Sequence, residues 1–138
     1  MQFIPYLNFD GNCAEAFDFY KDLFKGTIVH RGTYGEMPPD EKMPPMPLEA
    51  KDRVMHVHLQ IGTQSLMGSD AMPGASEACG GAHGKPQGFY ISINVADTAE
   101  GKRVFDALAQ GGPVTMPFDT TFWSEGFGMV TDRFATPW

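Results

Sequence analysis

The chain of 138 residues contains an internal repeat, which restricts its possible folds more than any other feature. When the first half is shifted forward by 85 positions, residues that would cap a helix, pack on its buried face and end it align with similar residues in the second half. The coinciding pairs are Asn12 with Asp97, Ala14 with Ala99, Glu15 with Glu100, Tyr20 with Phe105, Leu23 with Leu108 and Gly26 with Gly111. Each pair is weak alone, but the set predicts two copies of a strand–helix–three-strand unit.

The first copy has clear local signals. Apolar and β-branched runs predict strands at 3–9 and 27–34, followed by a hairpin of 53–62 and 64–70. Between the first two strands, Asn12 and Glu15 have the spacing of a capping box, and Gly26 is a natural helix end. The predicted buried stripe of this helix consists of Cys13, Ala16, Phe17, Tyr20 and Phe24, with Leu23 beside it.

The second copy repeats this order. A strand is predicted at 88–97, and Asp97 then caps a helix that stops at Gly111–Gly112. Strand-like segments follow at 113–121, 125–131 and 134–138.

Two loops separate these elements. Residues 35–52 contain five prolines, which exclude regular structure. This loop is interpreted either as an exposed connector or as a lid over a site. Residues 71–87 form a second loop, rich in glycine.

Two such units predict an α+β fold in one domain, 1–138, with units at about 1–70 and about 88–138. Each helix covers one face of its sheet, so the bare faces can curl into an open barrel around a cleft. Side chains two apart on a strand share a face. The polar alternates, predicted to line the cleft, are His56, His58 and Gln60 in the first unit and Tyr90, Ser92 and Asn94 in the second.

Composition excludes several function classes. The formal charge is −7 and the ten Lys and Arg residues are scattered, so nucleic-acid binding is not expected. No apolar run approaches the length of a membrane span, and the first ten residues do not have the pattern of a signal peptide. Cys13 and Cys79 predict free, inert thiols and a cytoplasmic location.

Three interpretations of His56 and His58 remain open at this point. The imidazoles could hold a transition metal, with Asp70 as the nearest candidate for a third ligand. They could be hydrogen-bonded cavity residues without a chemical role. They could also bind a ligand or transfer protons without a metal, since histidine titrates near neutral pH.

An aromatic cluster lies near the end of the chain. Phe122 and Trp123 accompany Phe118 and Phe127, and core packing or a stacking wall for a flat ligand would explain them. The neighbouring Asp132 is expected to have a structural role.

Several segments resemble the vicinal-oxygen-chelate superfamily, which includes glyoxalase I, extradiol dioxygenases and bleomycin-resistance proteins. The sequence is most similar to the PhnB-like branch, often labelled 3-demethylubiquinone methyltransferase-like. The segments that carry this resemblance are PYLNFDGNCAEAFDFY, GEMP, MHVHLQIG, SDAMP, EGKRVFDALA and TFWSEGFGMVTDRFATPW. The resemblance implies paired βαβββ units, the glyoxalase/bleomycin-resistance fold, and a homodimer whose clefts form partly across the subunit interface.

The resemblance also implies where a metal would bind. Its ligands would fall at Pro5, at Tyr90, near Leu66–Gly68 and beyond Trp138. Proline has no side-chain donor, tyrosine is an uncommon ligand, and no carboxylate stands near Leu66–Gly68. Methyl transfer is not expected either, because the chain lacks the Gly-rich strand-to-helix turn of dinucleotide and methyl-donor sites.

The sequence therefore predicts a PhnB-like protein that binds a small molecule in its cleft. The predicted ligand-binding residues are His56, His58, Met67, Tyr90, Ser92, Asn94 and Trp123. No catalytic residue is assigned and no cofactor is predicted, although a divalent metal is possible. The alternatives are a metal-dependent lyase, isomerase or dioxygenase, and a protein that confers resistance by sequestering an antibiotic.

Overall fold

The computed structural model describes residues 1–38, 45–73 and 83–138. The chain divides into two compact units, Met1–Gly84 and Lys85–Trp138. None of the helices in these described ranges is long and apolar enough to cross a membrane.

The first unit is one helix on a four-stranded sheet. Its elements are β1 (Tyr6–Phe9), α1 (Cys13–Phe24), β2 (Thr27–Thr33), β3 (Val54–Ile61) and β4 (Gln64–Asp70). The strand order is β1-β4-β3-β2, with β1 parallel to β4 and the other neighbours antiparallel. This confirms the strand–helix–three-strand order that the sequence predicts.

Helix α1 covers one face of this sheet. Its buried side chains are Cys13, Ala16, Phe17, Tyr20 and Leu23, and the buried sheet residues include Leu7, Phe9, Val57, Leu59 and Leu66. The rings of Phe9 and Phe17 meet edge to face with centroids 6.1 Å apart. Burying such side chains is the main stabilising contribution to the unit, and the alternate residues of the strands are left on the opposite face.

The start of α1 is capped from a distant strand. The buried Asp70 carboxylate accepts from Gly11 N at 2.8 Å, Cys13 N at 3.0 Å and, through its other oxygen, Val54 N at 2.8 Å. Asn12 occupies the N-cap position but makes no side-chain capping hydrogen bond. The predicted capping box of Asn12 and Glu15 is therefore wrong, because Asp70 satisfies the free amides at this helix end.

The end of α1 also differs in detail from the prediction. The left-handed residue that closes the helix is Lys25, at φ 54°, rather than Gly26. Gly26 is needed for another reason, because a Cβ there would lie 2.7 Å from the carbonyl oxygen of Gln60. The glycine lets the chain pass close to β3.

The second unit contains α2 (Thr98–Leu108), β5 (Val114–Asp119) and β6 (Phe127–Val130). The Asp97 side chain accepts from Glu100 N at 2.8 Å, which confirms the predicted N-cap. Strands β5 and β6 pair antiparallel.

Asp132 organises the segment that follows β6. Its buried carboxylate accepts from Phe134 N, Thr136 N and the Trp138 indole at 2.8–3.0 Å. This confirms the structural role expected for Asp132.

The prediction of a sheet strand at 88–97 is wrong. It belongs to neither sheet, and its one described backbone bond to a strand-like segment runs from Ile91 N to Pro137 O at 3.0 Å. The segment at 134–138 forms no named strand, although Trp138 and Val130 exchange backbone hydrogen bonds and Thr131 and Pro137 form a bridge. In the first unit β4 pairs along the whole of β1, whereas 134–138 meets 88–97 only at Ile91.

The predicted loops are only partly described. Single turns of 3-10 helix occur at Tyr34–Glu36 and Leu48–Ala50, so the exclusion of all regular structure from 35–52 was too strict. Residues 39–44 of the proposed lid, and residues 74–82 with Cys79, lie outside the described residues.

The α+β class and the glyoxalase-type arrangement are confirmed, with sheets of four and two strands and no closed barrel among the described residues. The single domain with a cleft between its units remains a prediction.

We expect Asp70→Asn to lower the free energy of unfolding by about 3 kcal/mol, because an amide group would oppose at least one buried backbone N–H. Urea denaturation measures this change. Asp22→Asn is the matched control, since Asp22 is exposed and pairs with neighbouring Lys21. A loss for Asp70→Asn as small as the control's would show that this cap is unimportant.

Candidate functional site

A row of ring-bearing and polarisable side chains crosses the face of the first-unit sheet that α1 leaves bare. Tyr6 lies opposite Met67, Met67 opposite His58, and His58 opposite His30, so the row spans all four strands. Directly opposed residues project from the same side of a sheet. We call this surface, with His56 and Ser69 beside the row, the polar face.

His56 lies at the centre of the polar face. Its Nδ1 is 3.1 Å from the Tyr6 hydroxyl, and the two rings stack with centroids 5.8 Å apart. The His30 ring lies 5.9 Å from the His56 ring, tilted by 31°. Three rings from three strands therefore form one contiguous surface.

His58 is held by a hydrogen-bonded chain that crosses from β3 to Ser65 on β4 and returns to Gln60 on β3. Its Nε2 lies 2.9 Å from the Ser65 hydroxyl, which donates to Gln60 Oε1 at 3.2 Å. Because the Ser65 proton goes to Gln60, the hydroxyl oxygen accepts from His58, and this assigns a proton to Nε2. Nδ1 of a neutral His58 is then an acceptor.

The electrostatics of the polar face favour a neutral His56. Partial burial, followed by the repulsion that His30 and His58 would exert, holds the pKa of His56 below its ordinary value. A neutral imidazole both accepts and donates a hydrogen bond, so His56 is suited to ligand recognition or proton transfer at neutral pH.

Three members of the polar face, Tyr6, His30 and Ser69, were not predicted from the sequence as site residues. Tyr6 was assigned to the first strand without a role, and His30 was not considered. The register that brings His30 opposite His58 includes an irregularity between Ile28 and His30. Simple alternation along 27–34 could not have located it.

Asp70 does not join these histidines. Residues alternate sides along β4, so Asp70 lies on the same side as Gly68. Gly68 faces α1, because a Cβ added to it would lie 2.7 Å from the Phe17 ring. Both carboxylate oxygens of Asp70 already accept backbone amides. The suggestion of Asp70 as a third metal ligand is therefore wrong.

The described residues do not fit the metal site of the superfamily. Pro5 offers only its carbonyl oxygen, which accepts from Met67 N at 3.1 Å. Within 1–38, 45–73 and 83–138, no group of three His, Cys, Asp or Glu side chains is placed to hold a metal ion.

The predicted site residues of the second unit line a different feature. Tyr90, Ser92 and Asn94 are exposed, and they border a cavity of about 600 Å³ within that unit. The structure thus brings His56, His58 and Met67 together in the first unit and Tyr90, Ser92 and Asn94 together in the second.

Trp123 lies outside the lining of this cavity. Its ring contacts Phe122 at 4.6 Å and Phe127 at 5.5 Å between centroids, and Phe122 is 97% exposed. Core packing, the first explanation of this cluster, is therefore wrong for Phe122 and Trp123 in the isolated chain.

Cys13 is fully buried under α1. Burial, reinforced by the nearby Asp70 carboxylate, raises the pKa of its thiol. The thiolate needed for nucleophilic chemistry is therefore disfavoured.

Comparison with known proteins identifies the fold class of this architecture. A glyoxalase-related enzyme from Fulvimarina pelagi shares the fold with a TM-score of 0.58 and 17% identity, over 100% of this chain and 86% of that one. At that identity the likeness shows the fold alone. The protein has a glyoxalase-type fold.

The family within that class follows from a match over residues 1–138: the chain belongs to the 3-demethylubiquinone-9 3-methyltransferase family. Protein YjdN of Escherichia coli K12 is 34% identical over 143 residues, covering 100% of this chain and 92% of YjdN. The crystal structure of PA1353 from Pseudomonas aeruginosa is 40% identical, with a TM-score of 0.86 over 100% of this chain and 94% of that one. The resemblance to the PhnB-like branch is confirmed.

We expect NMR titration to give His56 a pKa below the ordinary value of about 6.5. Since the pKa of His56 is lower in the folded than in the unfolded state, its stabilising contribution is present above the unfolded pKa. That contribution is lost as the pH falls through the folded pKa. His56→Asn retains an acceptor for Tyr6 but does not titrate. Its free energy of unfolding should therefore fall less than that of the wild type between about pH 7 and about pH 5. A His56 pKa at or above the ordinary value would contradict this account.

Proposed function

We propose that the protein binds a small organic molecule on the polar face of the first unit. The observation that supports this proposal most directly is the row of Tyr6, Met67, His58 and His30 across four strands, with His56 packed against two of its rings. A bare sheet face with converging polar groups is a typical ligand site.

The side chains indicate the chemistry of the ligand. The Tyr6, His30 and His56 rings provide flat surfaces for stacking, and Met67 provides an adaptable apolar contact. The imidazoles of His56 and His58 provide hydrogen-bond acceptors and donors. A flat ring with one or two polar substituents matches these groups.

The remaining predicted ligand-binding residues lie in the second unit and are proposed as ligand contacts separately from the polar face. Tyr90, Ser92 and Asn94 supply hydroxyl and amide groups, and Trp123 supplies a further aromatic surface. Their exposure in the isolated chain is compatible with contact to a ligand. We further propose a cytoplasmic location, based on the few and widely spaced cysteines.

The ligand site can be tested with 4-nitrophenol, a flat ring with a hydroxyl group, as the probe, at a pH slightly below neutral that keeps this hydroxyl protonated. Titration should shift the imidazole NMR signals of His56 and His58 but not that of His83, which is exposed. His56→Ala should weaken binding about tenfold, because a hydrogen-bond partner and a stacking surface are lost. His83→Ala is the matched control.

Two results would contradict the proposed binding. One is an unchanged set of histidine signals at saturating probe, and the other is equal affinity in His56→Ala. Elemental analysis of untagged protein tests the alternative class. A stoichiometric transition metal that disappears in His56→Ala or His58→Ala would support a metal-dependent lyase, isomerase or dioxygenase instead.

We also propose a homodimer, with Phe122 and Trp123 in its interface. This aromatic pair is 97% and 55% exposed in the single chain, and exposed aromatic clusters mark association surfaces.

Trp123→Ser should then shift the protein from dimer to monomer, because the interface would lose a large aromatic contact. Light scattering coupled to gel filtration measures the mass. Leu48→Ser is the control, since Leu48 is also exposed but lies in the first unit. A wild-type chain that elutes as a monomer at micromolar concentration would refute the proposal.

A further inference from the structure

The hydrogen bonds that hold His58 have a fixed direction. The hydrogen-bonded chain begins at the carbonyl oxygen of Gly62, which can only accept, and Gln60 Nε2 donates to it at 2.7 Å. That bond fixes the Gln60 amide, so its Oε1 accepts from the Ser65 hydroxyl at 3.2 Å. The Ser65 oxygen then accepts from His58 Nε2 at 2.9 Å. A neutral His58 is therefore left with Nδ1 for a ligand, and Nδ1 is a hydrogen-bond acceptor.

His56 has the opposite polarity. Its Nδ1 lies 3.1 Å from the Tyr6 hydroxyl. A phenolic hydroxyl is a better donor than acceptor, and an unprotonated imidazole nitrogen is a strong acceptor, so Tyr6 donates to Nδ1. The proton of a neutral His56 is then on Nε2. Partial burial and the neighbouring histidines favour this neutral form by lowering the pKa of His56. His56 therefore presents a donor where His58 presents an acceptor.

These two nitrogens belong to one surface. His56 and His58 are two residues apart on β3, so their side chains share the polar face and their Cα atoms are about 7 Å apart. That separation is comparable with the length of one para-substituted six-membered ring. Ser65 lies opposite Gln60, on the side of His58 away from His56, so the bond that holds His58 Nε2 leads away from His56. None of the described residues forms a hydrogen bond with His56 Nε2 or with His58 Nδ1.

Building on the ligand site proposed above, we propose that His56 and His58 select ligands with a hydrogen-bond acceptor and a hydrogen-bond donor at opposite ends of one flat ring. The acceptor end, such as a carbonyl oxygen, binds the Nε2–H of His56. The donor end, a hydroxyl or N–H group, binds Nδ1 of His58. Hydroxyaryl ketones and hydroxyaryl amides are uncharged members of this ligand class. Ser65 is a positioning residue, because it acts on the ligand through His58.

The assigned polarity also specifies which ligands are rejected. A ring with acceptors at both ends places an acceptor against His58 Nδ1, and a ring without a carbonyl leaves the His56 N–H without its partner. Both imidazoles are partly buried, so solvent replaces a lost hydrogen bond incompletely. Each mismatch should therefore weaken binding about fivefold.

Three uncharged ring compounds test this selection. 4-Hydroxyacetophenone carries one donor and one acceptor end, 4-methoxyacetophenone carries acceptors only, and 4-ethylphenol carries a hydroxyl group but no carbonyl. Calorimetric titration at neutral pH measures the affinities, and the imidazole NMR signals of His56 and His58 locate the bound compounds on the polar face. In the wild type, 4-hydroxyacetophenone should bind about fivefold more tightly than either of the other two.

Two variants assign each ligand group to one imidazole. His58→Phe retains a ring but loses the acceptor, so the preference for the hydroxyl over the methoxy compound should disappear while the preference for the carbonyl remains. His56→Phe should give the reverse pattern. Each variant is the matched control of the other, because a general loss of packing would reduce both preferences.

Ser65→Ala tests the positioning role without removing a group that touches the ligand. It should reduce the preference for the hydroxyl over the methoxy compound to about twofold and leave the preference for the carbonyl unchanged. Gln64→Ala, at an exposed position of the same strand, is the control. Equal losses of both preferences in Ser65→Ala would contradict the positioning role.

The wild-type comparison decides the selection without depending on the folding of any variant. Equal affinities of the three compounds at the polar face would overturn the inference and leave the proposed ligand site intact. Loss of the hydroxyl preference in His56→Phe instead of His58→Phe would overturn the assigned polarity. Absence of binding by all three compounds and by 4-nitrophenol would refute the ligand site and this inference together.

Discussion

The first unit depends on one buried carboxylate. Asp70, at the end of β4, binds backbone amides at Gly11, Cys13 and Val54, so it fixes the start of α1, the start of β3 and the end of β4 together. Once α1 is anchored there, its apolar stripe covers one side of the sheet. The position of the polar face is the consequence, because alternation sends His56 and His58 to the uncovered side.

Residue patterns predicted those parts of the fold that depend on local chemistry. The alternation of Val57 and Leu59 with His56 and His58 gave the correct faces of β3, and Asp97 gave the correct start of α2. Contacts between distant residues were not accessible in the same way. The partner of Gly11 is 59 positions away, and Asn12, a good capping residue by type, is replaced in that role by Asp70. His30 was missed because an irregular register sets its position.

The segment 88–97 shows why strand propensity is insufficient. Tyr90, Ile91, Ile93 and Val95 favour an extended strand, yet a strand exists only through its hydrogen-bonded neighbours. Its counterpart β1 has only four residues, yet it is a strand because β4 pairs with it on one side. The difference between the units therefore lies in the hydrogen-bonded neighbours that the described residues provide.

Charge limits what the polar face can recognise. The chain carries a formal charge of −7, which disfavours the approach of anions at low ionic strength. An imidazolium at His56 could offset this, but partial burial and two neighbouring histidines oppose its formation. Recognition by His56 must then rely on hydrogen bonding and ring stacking rather than on an ion pair. The proposed site would therefore favour uncharged or cationic ligands with a flat ring, and acidification would make it more tolerant of anions.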